Sequence, residues 1–144
     1  MTESEYFKVR LEDQIDWYSQ KSVKCQNYYK MAEGLQYCLA LLLAPLGYFV
    51  DSCIYVKYII AVIGIIIAGL NFFESMNNYH ENWISYRSTC EILKHEKMLF
   101  ATKSGSYADS DTPFTDLVER VESIISSENI DWGQMAKNIN QSEK

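Results

Sequence analysis

Residues that interrupt helices are scarce in this chain. Its 144 residues include only six glycines and two prolines. Neither type occurs before Gly34, and neither occurs in residues 74–103. Because glycine and proline are the usual helix breakers, long uninterrupted helices are expected. The sequence therefore predicts an all-α fold, with one helix over residues 1–34 and another over 74–103.

Charge is missing from two stretches, residues 34–50 and 58–73, although 22% of the chain is charged. A charge at the bilayer centre costs roughly 2.5–3.5 kcal/mol, so membrane spans exclude charge whereas soluble domains spread it. The pattern predicts a transmembrane helical hairpin with spans at 35–50 and 54–73 and a turn at 51–53. Alternatively, the first helix ends near Ala44 and Pro45 opens a longer turn.

Ligands and nucleophiles for a catalytic or metal site are also few. The four cysteines form no CxxC pair, and the two histidines are far apart. Glu91 and His95, four residues apart on a helix, fit a solvated ion pair better than a metal site. The sequence contains no Gly-rich phosphate loop followed by lysine. We therefore expect no enzyme activity, no metal, no cofactor and no disulfide framework.

Acidic residues outnumber basic ones, and the net charge is −6. This balance argues against a nucleic-acid partner, which requires a basic surface. Basic residues still cluster beside the spans: Lys21, Lys24 and Lys30 precede the first and Arg87 follows the second, whereas the turn side has Lys57. The positive-inside rule then predicts a multi-pass protein of the inner (plasma) membrane with both termini cytoplasmic. The polar N-terminal segment predicts an uncleaved anchor rather than a signal peptide.

The helices outside the spans carry apolar seams. Residues 74–103 show a heptad-like seam. Residues 113–130, which begin at Pro113 with Thr112 as the expected N-cap, show an amphipathic stripe that should pack on the other two helices. The seam residues are Trp83, Tyr86, Cys90 and Leu93. Arg87 lies beside them and is expected to pair with Asp13, Asp16 or Glu119 if it is buried.

Two features of the spans suggest function. The small residues Ala61, Gly64 and Ala68 recur at helix-contact spacing and predict close helix packing. Polar residues at the span ends, Asn71 and Glu74 at the inner end and Asp51 at the outer end, are candidate pore-lining groups. The alternative is that Asn71 caps a helix or forms a hydrogen bond between helices, and that Glu74 lies in water.

Several segments resemble the SLATT superfamily of small two-span bacterial domains. The resembling segments are RLEDQIDWYSQKS at 10–22, ENWISYRSTCEILKHEKMLFATKSGSYAD at 81–109 and FTDLVERVESIISSENIDW at 114–132. The resemblance covers residues 8–133. It implies a membrane effector of a bacterial conflict or antiviral defence system, which assembles a pore or disrupts the membrane. No fused sensor domain is expected, so the trigger would come from a partner, such as a nucleotide-signalling or sensor protein, or be absent.

Two functional hypotheses follow. In the first, the chain is a homo-oligomer that forms a permeation path, because two helices per subunit cannot enclose a channel alone. In the second, it is a non-conducting membrane anchor or scaffold that presents its cytoplasmic helices to a partner. The lipid bilayer is a partner in both.

Overall fold

The computed structural model describes residues 2–51 and 54–142, with side chains described as far as Glu128. Most of the predicted turn at 51–53 therefore lies outside the described residues. The described part is helical and contains no strand, which confirms the all-α prediction. It divides into two compact units: a flanking unit of Met1–Gln20 and Ser85–Lys144, and a central unit of Lys21–Ile84.

The chain begins with α1 (Glu3–Tyr6), continues through a π-helical stretch (Phe7–Leu11) and enters α2 (Glu12–Tyr48). Thr2 caps α1, because its hydroxyl accepts from the Glu5 N–H and the Glu5 carboxylate accepts from the Thr2 N–H.

Helix α2 passes through Gly34 without a break and includes Pro45 near its end at Tyr48. Residues 12–34 and most of the predicted first span thus share one long helix. Pro45 removes one backbone donor, and the helix ends three residues later.

The next two helices are α3 (Ile54–Asn77) and α4 (Tyr79–Ala101). The helix predicted over 74–103 is interrupted at Asn78, whose φ of 47° places it in the left-handed region. Asparagine tolerates this conformation better than other residues with a side chain. The Asn82 side chain donates to the Asn77 carbonyl at 2.9 Å, and so satisfies an acceptor at the break.

Helix α4 ends in two characteristic bonds, from the Ser104 N–H to the Leu99 carbonyl and from the Lys103 N–H to the Phe100 carbonyl. A short 3₁₀ turn at Gly105–Tyr107 follows, and α5 spans Pro113–Ser142, whereas the sequence predicted 113–130.

The buried apolar core belongs to the flanking unit. It combines residues of the first helical segments, α4, the 3₁₀ turn and α5, and the predicted stripe of α5 supplies part of it. Its members are Tyr6, Leu11, Ile15, Tyr18, Cys90, Leu93, Tyr107, Leu117, Val121 and Ile125.

The central unit is packed differently, and α3 has no fully buried side chain. Its half-buried positions recur every three or four residues. Each of the two helices carries one such row: Val56, Ile60, Ile63, Ile67, Leu70 and Glu74 on α3, and Tyr29, Ala32, Gln36, Leu39, Leu43 and Leu46 on α2. Such rows are what two helices lying side by side require.

One helical stretch within the described residues, Ile54–Tyr107, contains a run long and apolar enough to cross a membrane. Almost none of that run is buried, unlike the core helix of a soluble protein. The two-span hairpin is not confirmed, since α2 does not meet the same measure. Gln36, Tyr37 and Pro45 dilute its apolar segment, which ends at Tyr48.

Candidate functional site

The C-terminal end of α3 carries two of the predicted pore-lining residues. Asn71 is exposed, and its Nδ2 donates to the Ile67 carbonyl of its own helix at 3.0 Å. Glu74 is half-buried. Both border a shallow surface cleft of about 330 Å³, lined by Asn71, Glu74, Ser75, Asn78, Tyr79, His80 and Glu81. Asp51 is exposed beyond the end of α2 and is not among these residues.

The small-residue stripe of α3 lies on an open face. Ala61, Gly64 and Ala68 are all exposed. A methyl group added at Gly64 would meet no atom within 4 Å. The small size of these side chains is therefore not explained by packing among the described residues, and their role in helix contacts stays a prediction.

The predicted seam residues of α4 pack in two different environments. Trp83 belongs to the central unit and stacks on Tyr29, with ring centroids 6.4 Å apart. Cys90 and Leu93 are fully buried in the flanking unit, where the Cys90 thiol donates to the Ile15 carbonyl at 3.6 Å. Tyr86 is half-buried and packs edge-on against Trp17.

Arg87 does not pair as predicted. Its guanidinium is 60% exposed and lies 3.1 Å from Glu91, one turn along the same helix. A pair with Asp13, Asp16 or Glu119 was predicted only for a buried Arg87, and this condition is not met, because the side chain points to solvent and needs no buried partner.

The ion pair that joins the ends of the chain is instead formed by Arg10 and Glu122. Arg10 donates from Nε and Nη2 to the two carboxylate oxygens of Glu122 at 2.9 and 2.8 Å, and the Tyr6 hydroxyl adds a contact at 3.4 Å. The hydrogen bond from Arg10 lowers the pKa of Glu122. Burial, with Glu122 nearby, raises the pKa of Tyr6 to about 12.

A second group of polar contacts is centred on Glu96, which is 6% exposed. The Tyr107 hydroxyl donates to its carboxylate at 2.5 Å, and Arg120 lies 3.3 Å away. Burial and the bond to Glu96 raise the pKa of Tyr107.

Tyr18 makes a similar contact, donating to buried Glu128 at 3.1 Å. The Arg10–Glu122 and Tyr18–Glu128 pairs were not predictable from the sequence, because more than one hundred residues separate the partners. The hydrogen bond from Tyr107 to Glu96 joins residues that are closer in sequence. A loop lies between them, however, and a loop has no fixed spacing from which the partners could be predicted.

Aromatic rings form a cluster in the central unit, here called the aromatic collar: Tyr28, Tyr29, Tyr79, His80 and Trp83. Tyr28 stacks on Tyr79 at 5.5 Å, and Tyr29 contacts His80 at 4.8 Å. The Lys30 ammonium lies 5.9 Å from the centre of the Trp83 ring. The collar therefore joins α2 to the start of α4 just beyond the apolar run of α3.

Among the described residues, no three side chains of the types that bind metals converge. The described cysteines, Cys25, Cys38 and Cys90, are free thiols.

Comparison with curated proteins and with solved structures gave no match. A family model described as "Protein of unknown function (DUF4231)" matches residues 13–115. The match begins at the start of α2 and ends at the start of α5, and it covers more than half of the chain. The chain therefore belongs to the DUF4231 family.

Proposed function

We propose that this chain crosses the membrane twice and assembles into a homo-oligomer that forms a permeation path. The resemblance to SLATT domains supports a role as an effector of bacterial defence. One combined observation carries the proposal: the apolar helix α3 is exposed, and residues from the two ends of the chain share one core.

The exposure of α3 indicates its surroundings. Ile65 is 72% exposed, and Val62 and Tyr58 are also exposed. Each large apolar side chain left in water forfeits roughly 1.5–3 kcal/mol of burial free energy. A continuous run of such side chains is stable in hydrocarbon or against further protein, and a bilayer supplies the first of these.

The flanking unit limits the number of crossings. Residues before position 20 and residues after position 85 share one hydrophobic core. Both segments must therefore lie on the same side of any membrane that the chain enters between them. The number of crossings is then even, so if α3 crosses, a second segment crosses too. The apolar end of α2, which leads into the short turn before α3, is the available segment.

The orientation follows from the basic residues beside the apolar segments. Lys21, Lys24 and Lys30 precede the apolar segment of α2 in sequence, and Lys57 lies near the start of α3. The positive-inside rule favours a cytoplasmic flanking unit in the plasma membrane.

The permeation path itself is best tested at Asn71. Asn71→Leu removes the exposed amide that borders the inner cleft, and conductance in planar bilayers should fall. Asn77→Leu is a matched control, because Asn77 makes the same type of bond, to Phe73 at 2.8 Å, but is half-buried.

Equal loss of conductance in both variants would contradict a specific role for Asn71. Silence of the purified oligomer under every condition would count against conduction, and a monomeric mass in detergent would exclude it, since two helices cannot enclose a path.

A scaffold is the second candidate, and the flanking unit favours it. That unit has a well-packed core with specific ion pairs, whereas α3 has no fully buried side chain. A scaffold predicts that overproduction leaves the membrane potential of cells unchanged. A pore predicts depolarisation, which a potential-sensitive dye would report.

A further inference from the structure

A groove of about 530 Å³ lies between α2 and α4 in the flanking unit, and it has no role in the permeation path proposed above. Its lining includes Glu12, Ile15 and Asp16 of α2 and Lys94, Lys97 and Met98 of α4. We propose that this groove, here called the charged groove, is the surface through which two copies of the chain pair. The inference rests on the homo-oligomer proposed above and names the surface that joins its copies.

The charged groove offers apolar surface to a partner. Met98 is 63% exposed, and Ile15 and Ala101 also border the groove. Methionine adapts its shape to irregular surfaces and is enriched where proteins meet. A second copy seated here would remove apolar surface from water on both chains, which favours association.

The charges of the groove are sorted by helix. Glu12 and Asp16 on α2 are acidic, whereas Lys94 and Lys97 on α4 are basic. Glu12 and Lys97 already meet within one copy, with the ammonium 2.7 Å from the carboxylate. Asp16 makes no ion pair or hydrogen bond among the described residues. Lys94 contacts Glu91 of its own helix at 3.2 Å, in an exposed pair of little strength. Asp16 and Lys94 can therefore accept a partner from outside.

Neighbouring charges do not cancel this division. Arg10 and Glu96 are set aside, because they pair with residues of α5. Residues 8–16 then carry one basic and three acidic side chains, a formal charge of −2, and residues 87–97 carry three basic and one acidic, a formal charge of +2. The acidic exception on α4, Glu91, lies 3.1 Å from the Arg87 guanidinium, which offsets its charge.

The charges on the two walls are also level with each other. The contact of Glu12 with Lys97 and that of Ile15 with Cys90 show that α2 and α4 are antiparallel. Asp16 therefore lies roughly 6 Å along the groove from Glu12, and Lys94 lies roughly 4.5 Å from Lys97 in the same direction.

A two-fold axis that runs along the groove preserves these heights. It places the acidic wall of each copy against the basic wall of the other, so that Asp16 of one copy faces Lys94 of the other in two equivalent contacts. An axis across the groove would bring like charges together, which is unfavourable. The charged groove is thus complementary to itself, and this favours a second copy over a partner that carries one sign of charge.

Charge reversal in separate chains tests the pairing. Asp16→Lys should weaken self-association of the purified full chain in detergent about tenfold, because two attractive contacts become repulsive. Lys94→Asp should weaken it similarly. An equimolar mixture of the two variants should associate about as tightly as the parent, because reversed side chains then face each other, as do unchanged ones. Sedimentation equilibrium over a range of concentrations measures each dissociation constant.

Glu119→Lys is the matched control, because Glu119 is exposed on α5 and borders a different groove. Its mixture with Lys94→Asp should not recover tight association. Contacts within each chain are the same before and after mixing, so recovery reports contacts between chains. Circular dichroism checks that each variant is folded.

Met98→Gln provides a second test that reverses no charge. Because Met98 is exposed in the single copy, the fold should be retained. Self-association should weaken about tenfold, since each copy loses apolar surface that the contact would cover.

Association of both charge variants and of Met98→Gln as tight as that of the parent would overturn the groove contact and leave the groove to another occupant, such as a helix of a different protein, while the homo-oligomer would stand. Weakened association that does not recover on mixing would overturn the pairing of acidic with basic walls. A parent chain that sediments as a monomer would overturn the homo-oligomer itself.

Discussion

Two arginine–glutamate ion pairs, Arg10–Glu122 and Arg87–Glu91, should contribute unequally to the stability of this molecule. Arg10 makes a two-pronged contact with Glu122, and each side chain is 41% exposed. Arg87 makes a single contact with Glu91 on its own helix and is more exposed. Bidentate charged hydrogen bonds between distant segments stabilise more than ion pairs within one helix.

Replacing Arg10 by Met should lower the free energy of unfolding of the flanking unit by about 1–2 kcal/mol. Arg87→Met should change it by about 0.3–0.5 kcal/mol, the usual size of an exposed pair within a helix. Denaturant titration of both variants in the same detergent, followed by circular dichroism, measures the difference. Similar losses in the two variants would contradict this ranking.

The Arg10–Glu122 pair also predicts that the free energy of unfolding depends on pH. Its partner carboxyl, Glu122, has a pKa below the ordinary 4.5 in the folded chain. Stability from a depressed carboxyl pKa is present above the unfolded pKa and disappears as pH falls through the folded value. The stability gap between the parent and Arg10→Met should therefore be constant near neutral pH and close in acid below 4.5.

Glu122→Gln provides the control, because it removes the titrating group while keeping a similar shape. In that background, the effect of Arg10→Met should not vary with pH over the acid range. A gap that closes equally in both backgrounds would assign the effect to another carboxylate.

Helix ends were harder to predict than helices. Proline or glycine marks the end of α2 and the start of α5, but α3 ends at Asn77 and α4 ends at Ala101, each followed shortly by a non-glycine residue with positive φ, Asn78 or Lys103. Local propensity did not reveal these positions, because the backbone there is fixed by the bonds that close each helix. The amphipathic stripe of α5, in contrast, was predictable from spacing alone and is largely buried.

Lys103 offers a test at this scale. Its φ of 50° is strained for a residue with a Cβ, and its side chain is exposed. Lys103→Gly should stabilise the flanking unit by about 1 kcal/mol. Lys103→Ala keeps the Cβ, so it should show no such gain in a thermal melt. A gain in both variants would show that loss of charge, rather than relief of strain, is responsible.

The candidate site was only partly accessible from sequence. Asn71 and Glu74 are three residues apart on one helix, so their shared cleft follows from helical geometry. The aromatic collar was not predicted, although the sequence contains eleven tyrosines. Its members come from α2 and α4, and no local pattern states which rings of two helices will meet.

For the whole molecule, the number of crossings can be tested at Cys38, which is exposed on α2. With Cys25→Ser and Cys53→Ser, a charged thiol reagent applied to both faces of opened vesicles should not label Cys38 if the proposed second span lies in α2, because hydrocarbon would then surround the thiol. Val23→Cys, exposed on the same helix before the apolar segment, should label rapidly. Equal labelling rates at the two positions would exclude a second span in α2.

The flanking unit is assembled from the two ends of the chain, and this has a consequence for synthesis. Its first twenty residues leave the ribosome long before α4 and α5 exist, so their core partners are not yet available. The exposed face of α3 emerges in between. Insertion of α3 should therefore precede closure of the flanking core, and a nascent chain halted before residue 113 should already be anchored in the membrane while its N-terminal segment is still sensitive to protease.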